Sequence, residues 1–292
     1  MFCGRWTSLT QEQETNHNIP DEFSAVLEAV KTYHKQGYNI LPILPRGAKY
    51  PKKGNNVVKI KAADGKSAEG FGWWHEWIEK KQDSNFINTF HDVLKNANNK
   101  LSQYLTAQEM EKEKITTLNL ALVCGDVSGD EEYGSGVADI DGLGQEIYDE
   151  ALLLLESQNE ELAKKLDDTP QTRTPSGGIP VHFQYPKKDF EKQFKSLTIY
   201  TGKNRHEEIE ILANGRYVLE PPSEGYVAIK HDFHKIAKLS KKEFNQLINC
   251  MKMVCAEQRS QREEEKLKTP QKLKMTRVKN QNIHKLSLLL LP

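Results

Sequence analysis

The sequence predicts a mixed α+β (α/β) fold in which helices flank mixed sheets. Short apolar segments with strand-like composition, such as 118–124 and 181–185, are interspersed irregularly with amphipathic segments of helical period, such as 148–166. No segment recurs at a fixed spacing, which excludes a solenoid. The 292 residues suffice for one large domain with an extension, or for two small domains, and can bury a substantial core.

The elements are predicted from apolar spacing and from the residues that interrupt it. The first helix begins near Pro20 and ends at Gly37, because glycine favours helix ends. Asn214 and Gly215 form a strong turn signal, which predicts a hairpin between strands at 209–212 and 216–219. The other predicted strands are at 38–43, 118–124, 137–141 and 181–185, and the other predicted helices are at 101–114, 148–166, 187–196 and 241–256. The rest of the region 54–115 is predicted to be irregular. A turn is predicted at 125–136 and a loop at 175–178.

Bulk composition excludes several classes of protein. Lys plus Arg and Asp plus Glu both number 41, so any nucleic-acid surface must come from local clustering of charge. The four cysteines lack paired spacing, which favours a reducing compartment. No apolar run reaches the roughly 20 residues of a membrane helix, and residues 1–20 are too polar for a signal peptide. We therefore expect a cytoplasmic protein without a membrane partner.

Two acids, Asp139 and Asp141, lie two residues apart in the predicted strand at 137–141. Residues at this spacing share a face of a strand, so both carboxylates project together while Ile140 turns toward the core. Adjacent carboxylates repel unless cations share them, and Mg²⁺ and Mn²⁺ prefer such oxygen ligands. The pair indicates a metal site, and the alternative is a solvated strand end.

A run of small residues precedes the strand that carries His182. Ser176, Gly177 and Gly178 allow the backbone to approach an anion closely, with its N–H groups pointing inward. An imidazole on the following strand can donate to a phosphate oxygen. The segment favours an anion site, and an ordinary turn followed by one satisfied histidine is the alternative.

A third acidic segment alternates Glu208 and Glu210 with Ile209 and Ile211. Strand periodicity places the two isoleucines on the core face and the two acids on the opposite face. A third carboxylate on a neighbouring strand can complete a metal site. The alternative is a half-buried hairpin with solvated acids.

These three segments occur in one chain and in this order, as GVADID, TPSGGIPVHF and EILANGRYVLEPPS. Together they resemble the archaeo-eukaryotic primase (AEP) superfamily and, within it, the bifunctional primase–polymerase (prim-pol) family. That family has an hhhDhD segment, an sGG…H segment, and an acid followed by G-x-Y-V-x-x-P-P-S. The resemblance covers about residues 20–235. It departs from the family pattern at His182, because three residues separate it from the glycines, which the family's histidine often follows almost directly.

The resemblance implies an AEP-type, RRM-like catalytic core and template-directed nucleotidyl transfer, which synthesises primers or extends DNA or RNA strands. It implies a site with two Mg²⁺ or Mn²⁺ ions, and as partners a single-stranded DNA template, a primer strand, NTPs or dNTPs, and a replicative helicase. The residues implied are Asp139, Asp141 and Glu210 as metal-binding acids, His182 with Ser176, Gly177 and Gly178 at the nucleotide's triphosphate, and Arg173 and Lys49 as further nucleotide or template contacts.

Three other functions use similar residues. A metal-dependent nuclease or nicking replication initiator needs acids and divalent ions as well. A non-catalytic DNA-binding replication module can retain a vestigial acid site, and a mononucleotide sensor can bind a triphosphate without polymerising it. Pyrophosphate release that depends on a template distinguishes the polymerase from all three.

The chain is predicted to divide into a flexible arm at 1–19, a catalytic domain at 20–240 and a basic helical extension at 241–292. Lysines at 49–61 and basic residues at 259–279 are candidates for phosphate contacts with DNA, and a solvated surface is the alternative. Trp73, Trp74 and Trp77 are predicted to pack in the core rather than stack on bases. We expect the protein to act at the nucleoid or at a plasmid or viral replication site.

Overall fold

The computed structural model describes residues 21–52, 56–59, 77–142, 144–190, 196–201, 208–257 and 260, and it confirms the mixed α+β fold. The helices are α1 (Asp21–Lys35), α2 (Phe86–Leu101), α3 (Ala107–Glu113), α4 (Gly144–Gln158), α5 (Glu160–Asp167) and α6 (241–257). The strands are β1 (Ile40–Ile43), β2 (Lys49–Lys52), β3 (Asn56–Lys59), β4 (Asn119–Val123), β5 (Gly125–Gly129), β6 (Tyr133–Ile140), β7 (Gln171–Arg173), β8 (Ile179–Pro186), β9 (Ser196–Thr201), β10 (Glu208–Leu212), β11 (Tyr217–Glu220), β12 (Val227–Lys230) and β13 (Ala237–Lys238).

The larger sheet has eight strands and carries helices on one face. Six strands follow the order β12-β7-β8-β6-β10-β9, while β5 pairs with β6 and β13 pairs with β8. Apolar residues that alternate along β6, β8 and β10, such as Ile140, Val181 and Ile209, pack against α4, α5 and α6. The residues between them therefore project from the other face, which is the face of the acids.

The smaller sheet has three strands in the order β1-β4-β11, all antiparallel. One of its faces packs against α1 and α2 through residues such as Ile40, Leu120 and Phe90. Its other face forms a small apolar cluster that includes Leu41, Val123 and the half-buried Tyr226. A separate two-stranded sheet consists of β2 and β3.

The predicted hairpin at 209–219 is wrong, because its two strands belong to different sheets. β10 pairs with β6 and β9, whereas β11 pairs with β4. The turn itself is present: Gly215 has a φ of 74°, and Arg216 N–H donates to the carbonyl of Ala213 at 3.0 Å. Asn214 Oδ1 also accepts from the N–H of Asp126 at 2.7 Å. The turn therefore passes the chain from the larger sheet to the smaller one.

Four other local predictions need correction. Residues 86–101 are helical rather than irregular, and Phe86, Phe90 and Val93 form the buried side of that helix. Residues 125–129 and 133–136 form strands rather than one turn. The helix predicted at 148–166 is interrupted at Asn159, which caps α5. Residues 187–189 form one turn of 3₁₀ helix, and β9 begins at Ser196 where a helix was predicted to end.

Helix α6 shares its core with the larger sheet. Phe244, Leu247 and Met251 pack in the same cluster as the strands that carry the acids. The division of the chain at residue 240 stays a prediction. Within the described ranges, no helix has the length and apolar character that crossing a bilayer requires.

Candidate active site

The three acids singled out in the sequence meet on one face of the larger sheet. Glu210 lies directly opposite Asp139 in the antiparallel register of β10 and β6. Asp141 follows two residues later, and its N–H donates to the carbonyl of Glu208 at 2.8 Å, which continues the pairing. Directly opposed residues have Cβ atoms about 5 Å apart. Asp139, Asp141, Glu208 and Glu210 therefore form a two-by-two array of carboxylates.

Crowding within this array changes the acidity of Asp139. Burial, and after it the negative charges of Asp141, Glu210, Glu208 and Glu220 in that order, together raise the pKa of the Asp139 carboxyl to about 7. The charged form is disfavoured because it loses hydration and meets other carboxylates. A divalent cation shared by these oxygens would remove both penalties.

The acids supply the hard oxygen ligands that Mg²⁺ and Mn²⁺ prefer, so the donor set fits such an ion. Within the described residues, no group of three or more His, Cys, Asp or Glu side chains is arranged to hold a metal ion. Glu210 Oε1 instead accepts from the hydroxyl of Thr198 at 2.9 Å.

The small-residue loop lies against the acids. A Cβ on Gly178 would meet Asp141 Oδ1 at 2.6 Å and the carbonyl of Ile140 at 2.9 Å. The loop is closed by the Thr174 N–H, which donates to the carbonyl of Gly178 at 2.8 Å, and by the Gly177 N–H, which donates back to Thr174 at 2.9 Å. Ser176 and Gly177 are exposed at its tip. The loop predicted at 175–178 is therefore a tight backbone turn, and Gly178 in it lies beside Asp141.

His182 lies on the acid face but farther along β8. The register places Pro180 opposite Asp139, and His182 opposite Val137. Its side chain is 0% exposed, and its Nε2 lies 2.8 Å from Glu220 Oε1. The rings of Phe233 and Tyr38 pack on it, with centroids at 5.1 and 6.5 Å. The contact between His182 and a triphosphate stays a prediction.

Two further residues near the acids were not found in the sequence. Glu220 is fully buried at the end of β11, where it contacts His182 and accepts from Thr172 Oγ1 at 2.5 Å. Burial, together with the charges of Asp139, Glu220 and Asp141, raises the pKa of Tyr226 to about 12, so Tyr226 lies near the same site. The only local signal for Glu220 is a single acid that follows the apolar residues Val218 and Leu219.

The remaining predicted contacts lie on other strands or outside the described residues. Arg173 is exposed at the end of β7, opposite Val227. Lys49 begins β2 in the separate two-stranded sheet. Trp77 is partly buried against the core, as predicted. Trp73, Trp74 and the basic residues between 259 and 279 lie outside the described ranges.

The segment His231–His234 forms a turn at the surface. His231 and His234 are exposed, and Phe233–Lys235 forms one turn of 3₁₀ helix. The Tyr33 hydroxyl lies 3.3 Å from His231 Nε2. Phe233 between the two histidines is buried and packs on His182.

A comparison with models of protein families shows the family to which the chain belongs. The family model described as bifunctional DNA primase/polymerase, N-terminal, matches residues 30–241. This range holds the acid array, the small-residue loop and both sheets. A search of curated proteins gives no significant match. Because the matched range is well over half of the chain, this protein belongs to the bifunctional DNA primase/polymerase family.

Proposed function

We propose that this protein catalyses template-directed nucleotidyl transfer, in which it starts or extends a nucleic-acid strand along a single-stranded DNA template. The observation that carries the proposal is the array of Asp139, Asp141 and Glu210 beside the loop that ends at Gly178. Membership of the primase/polymerase family supports it.

The acids would hold the divalent ions of the reaction. Asp139, Asp141 and Glu210 are the ligands for Mg²⁺ or Mn²⁺, and their shared face and crowding suit this role. When bound, such ions neutralise charge on the phosphates and orient the attacking and leaving oxygens. Glu208 lies opposite Asp141 and adds negative charge beside the ligands.

The small-residue loop would receive the triphosphate. Gly178 leaves space beside Asp141, and the exposed tip at Ser176 and Gly177 can approach phosphate oxygens closely. Arg173 is exposed on the strand that leads into this loop, where its guanidinium can pair with a phosphate. Base selection would come from pairing with the template, because phosphoryl transfer itself mainly needs positioning and charge neutralisation.

Primer extension with carboxylate variants tests the proposal. Wild-type protein is incubated with a primed single-stranded template, labelled nucleotides, and Mg²⁺ or Mn²⁺. Asp139→Asn and Glu210→Gln should lower incorporation at least about a hundredfold, since each removes a negatively charged ligand oxygen while keeping its shape. Asp92→Asn on the exposed face of α2 is the control and should retain full activity.

The same reaction separates the alternatives. If the template is cleaved and the primer is not extended, the protein is a nuclease and not a polymerase. Full activity in Asp139→Asn would show that the acid array does not take part in the reaction. Incorporation without a primer would add primase activity to the proposal.

A further inference from the structure

A buried polar contact joins the two sheets near the acids. His182 Nε2 lies 2.8 Å from Glu220 Oε1, and the hydroxyl of Thr172 donates to Glu220 Oε2 at 2.5 Å. His182 and Glu220 are both 0% exposed. Both side chains are therefore held in the interior by a direct polar contact with each other.

The contact connects strands of two different sheets, which share no backbone pairing. Glu220 ends β11 of the smaller sheet, whereas Thr172 and His182 lie on the neighbouring strands β7 and β8 of the larger sheet. On β8, His182 is two residues beyond Pro180, the residue opposite Asp139. Two residues of strand span about 7 Å. The joint between the sheets therefore lies on the same face as the acids and close to them.

The backbone around His182 is also fixed. Its N–H donates to the carbonyl of Pro170 at 3.0 Å, and its carbonyl accepts from the hydroxyl of Thr169 at 2.6 Å. Phe233 and Tyr38 enclose the ring. For His182 to reach a triphosphate, it would have to break its contact with Glu220, and this buried carboxyl group would then lose one of its two polar partners.

We propose that His182 and Glu220 form a positioning pair, which sets the location of the acid-bearing strands relative to the smaller sheet. His182 then affects nucleotide transfer through the position of β8 and β6, and it does not bind the triphosphate itself. This inference rests on the proposed function, because it takes the acid array as the reacting site.

Kinetic variants distinguish positioning from binding. Glu220→Gln, His182→Gln and the double variant are compared with Glu243→Gln, which alters the 2.6 Å pair with Lys165 beside α6 on the other side of the larger sheet. Primer extension is measured at a temperature below the melting temperature of every variant. The kcat of each single variant should be about tenfold lower than that of the wild type. Their nucleotide KM should stay within about twofold of wild type. The double variant should lose no more than the worse single variant, because the two residues act as one unit.

A second readout does not depend on turnover. Mn²⁺ binding, followed by electron paramagnetic resonance, should weaken several-fold in Glu220→Gln and His182→Gln and remain unchanged in Glu243→Gln. The pairing is overturned if His182→Gln raises the nucleotide KM about tenfold at unchanged kcat while Glu220→Gln matches wild type. It is also overturned if the losses of the two single variants add. Failure of wild-type protein to extend any primer would instead reject the proposed function.

Discussion

Asp139 shows how single residues connect the fold to its chemistry. It is partly buried, it lies opposite Glu210, and its carboxyl has a pKa raised to about 7 by burial and by neighbouring carboxylates. Such an environment opposes folding when the carboxyl is ionised. A residue that weakens the folded state in this way is typical of a functional site, where a bound cation offsets the repulsion.

Asp139 should make stability fall as pH rises in metal-free buffer. The carboxyl stays protonated in the fold up to about pH 7, whereas in the unfolded chain it ionises near pH 4. The folded state therefore binds more protons in this window, and the free energy of unfolding decreases from about pH 4 to about pH 7.

Asp139→Asn should remove this decrease and be more stable than wild type by roughly 1 to 3 kcal/mol at pH 8, with allowance for partial exposure. Urea denaturation across the pH range measures it. Mg²⁺ should stabilise the wild type more than the variant. Parallel pH profiles for the two proteins would show that Asp139 has an ordinary pKa.

Gly178 should be intolerant of a methyl group for a local reason. A Cβ there would displace the Asp141 carboxylate, from which it would lie 2.6 Å. Gly178→Ala should lower primer extension about ten- to a hundredfold while the protein remains folded, because a small misplacement of a reacting group is costly. Primer-extension rates and circular dichroism spectra would be measured together. Wild-type rates in the variant would show that the loop has room to shift.

The sequence revealed the acids because strand periodicity is local, but it could not reveal their neighbours. The spacing of Asp139 and Asp141 shows that they share a face, whereas the opposition of Asp139 to Glu210 depends on the register between β6 and β10. Glu220 and His182 are 38 residues apart in the chain. Their contact depends on how two sheets meet, which no local pattern contains.

At the level of strands and helices, signals for chain reversal were more reliable than the choice of pairing partner. The turn at Asn214 and Gly215 is present, yet β10 and β11 join different sheets. A turn signal reports the backbone angles of a few residues, while pairing depends on where apolar faces are buried. The break at Asn159 was missed because the apolar spacing continues from α4 into α5.

The cap of α5 should contribute to stability and not to primer extension. Asn159 Oδ1 accepts from the N–H of Leu162 at 3.2 Å, on the helical side of the larger sheet. Asn159→Ala should lower the free energy of unfolding by about 1 kcal/mol. Asn159→Asp should retain most of it, because aspartate caps a helix equally well but cannot replace the donation from Asn159 Nδ2 to Gln246 Oε1 at 3.3 Å. Urea denaturation tests both variants. A loss of primer extension in Asn159→Ala at a temperature where the variant is folded would contradict this separation.

Across the whole molecule, a larger and a smaller sheet meet beside the acids. The larger sheet buries one face against helices and presents its acids on the other. The smaller sheet supplies Glu220 and the apolar cluster beside Tyr226. Although the net charge of the chain is zero, its charges are unevenly distributed, because four carboxylates lie together at one site.

Pyrophosphate release on homopolymer templates tests the assignment of nucleotidyl transfer to the acid array most directly. The protein is given a primed thymidine or adenosine template with each nucleoside triphosphate in turn, beside a double variant with Asp139→Asn and Asp141→Asn. Wild-type protein should release one pyrophosphate for each complementary nucleotide incorporated, and the variant should release none above background. Pyrophosphate release that ignores the template, or template cleavage without pyrophosphate, would contradict template-directed transfer at these acids.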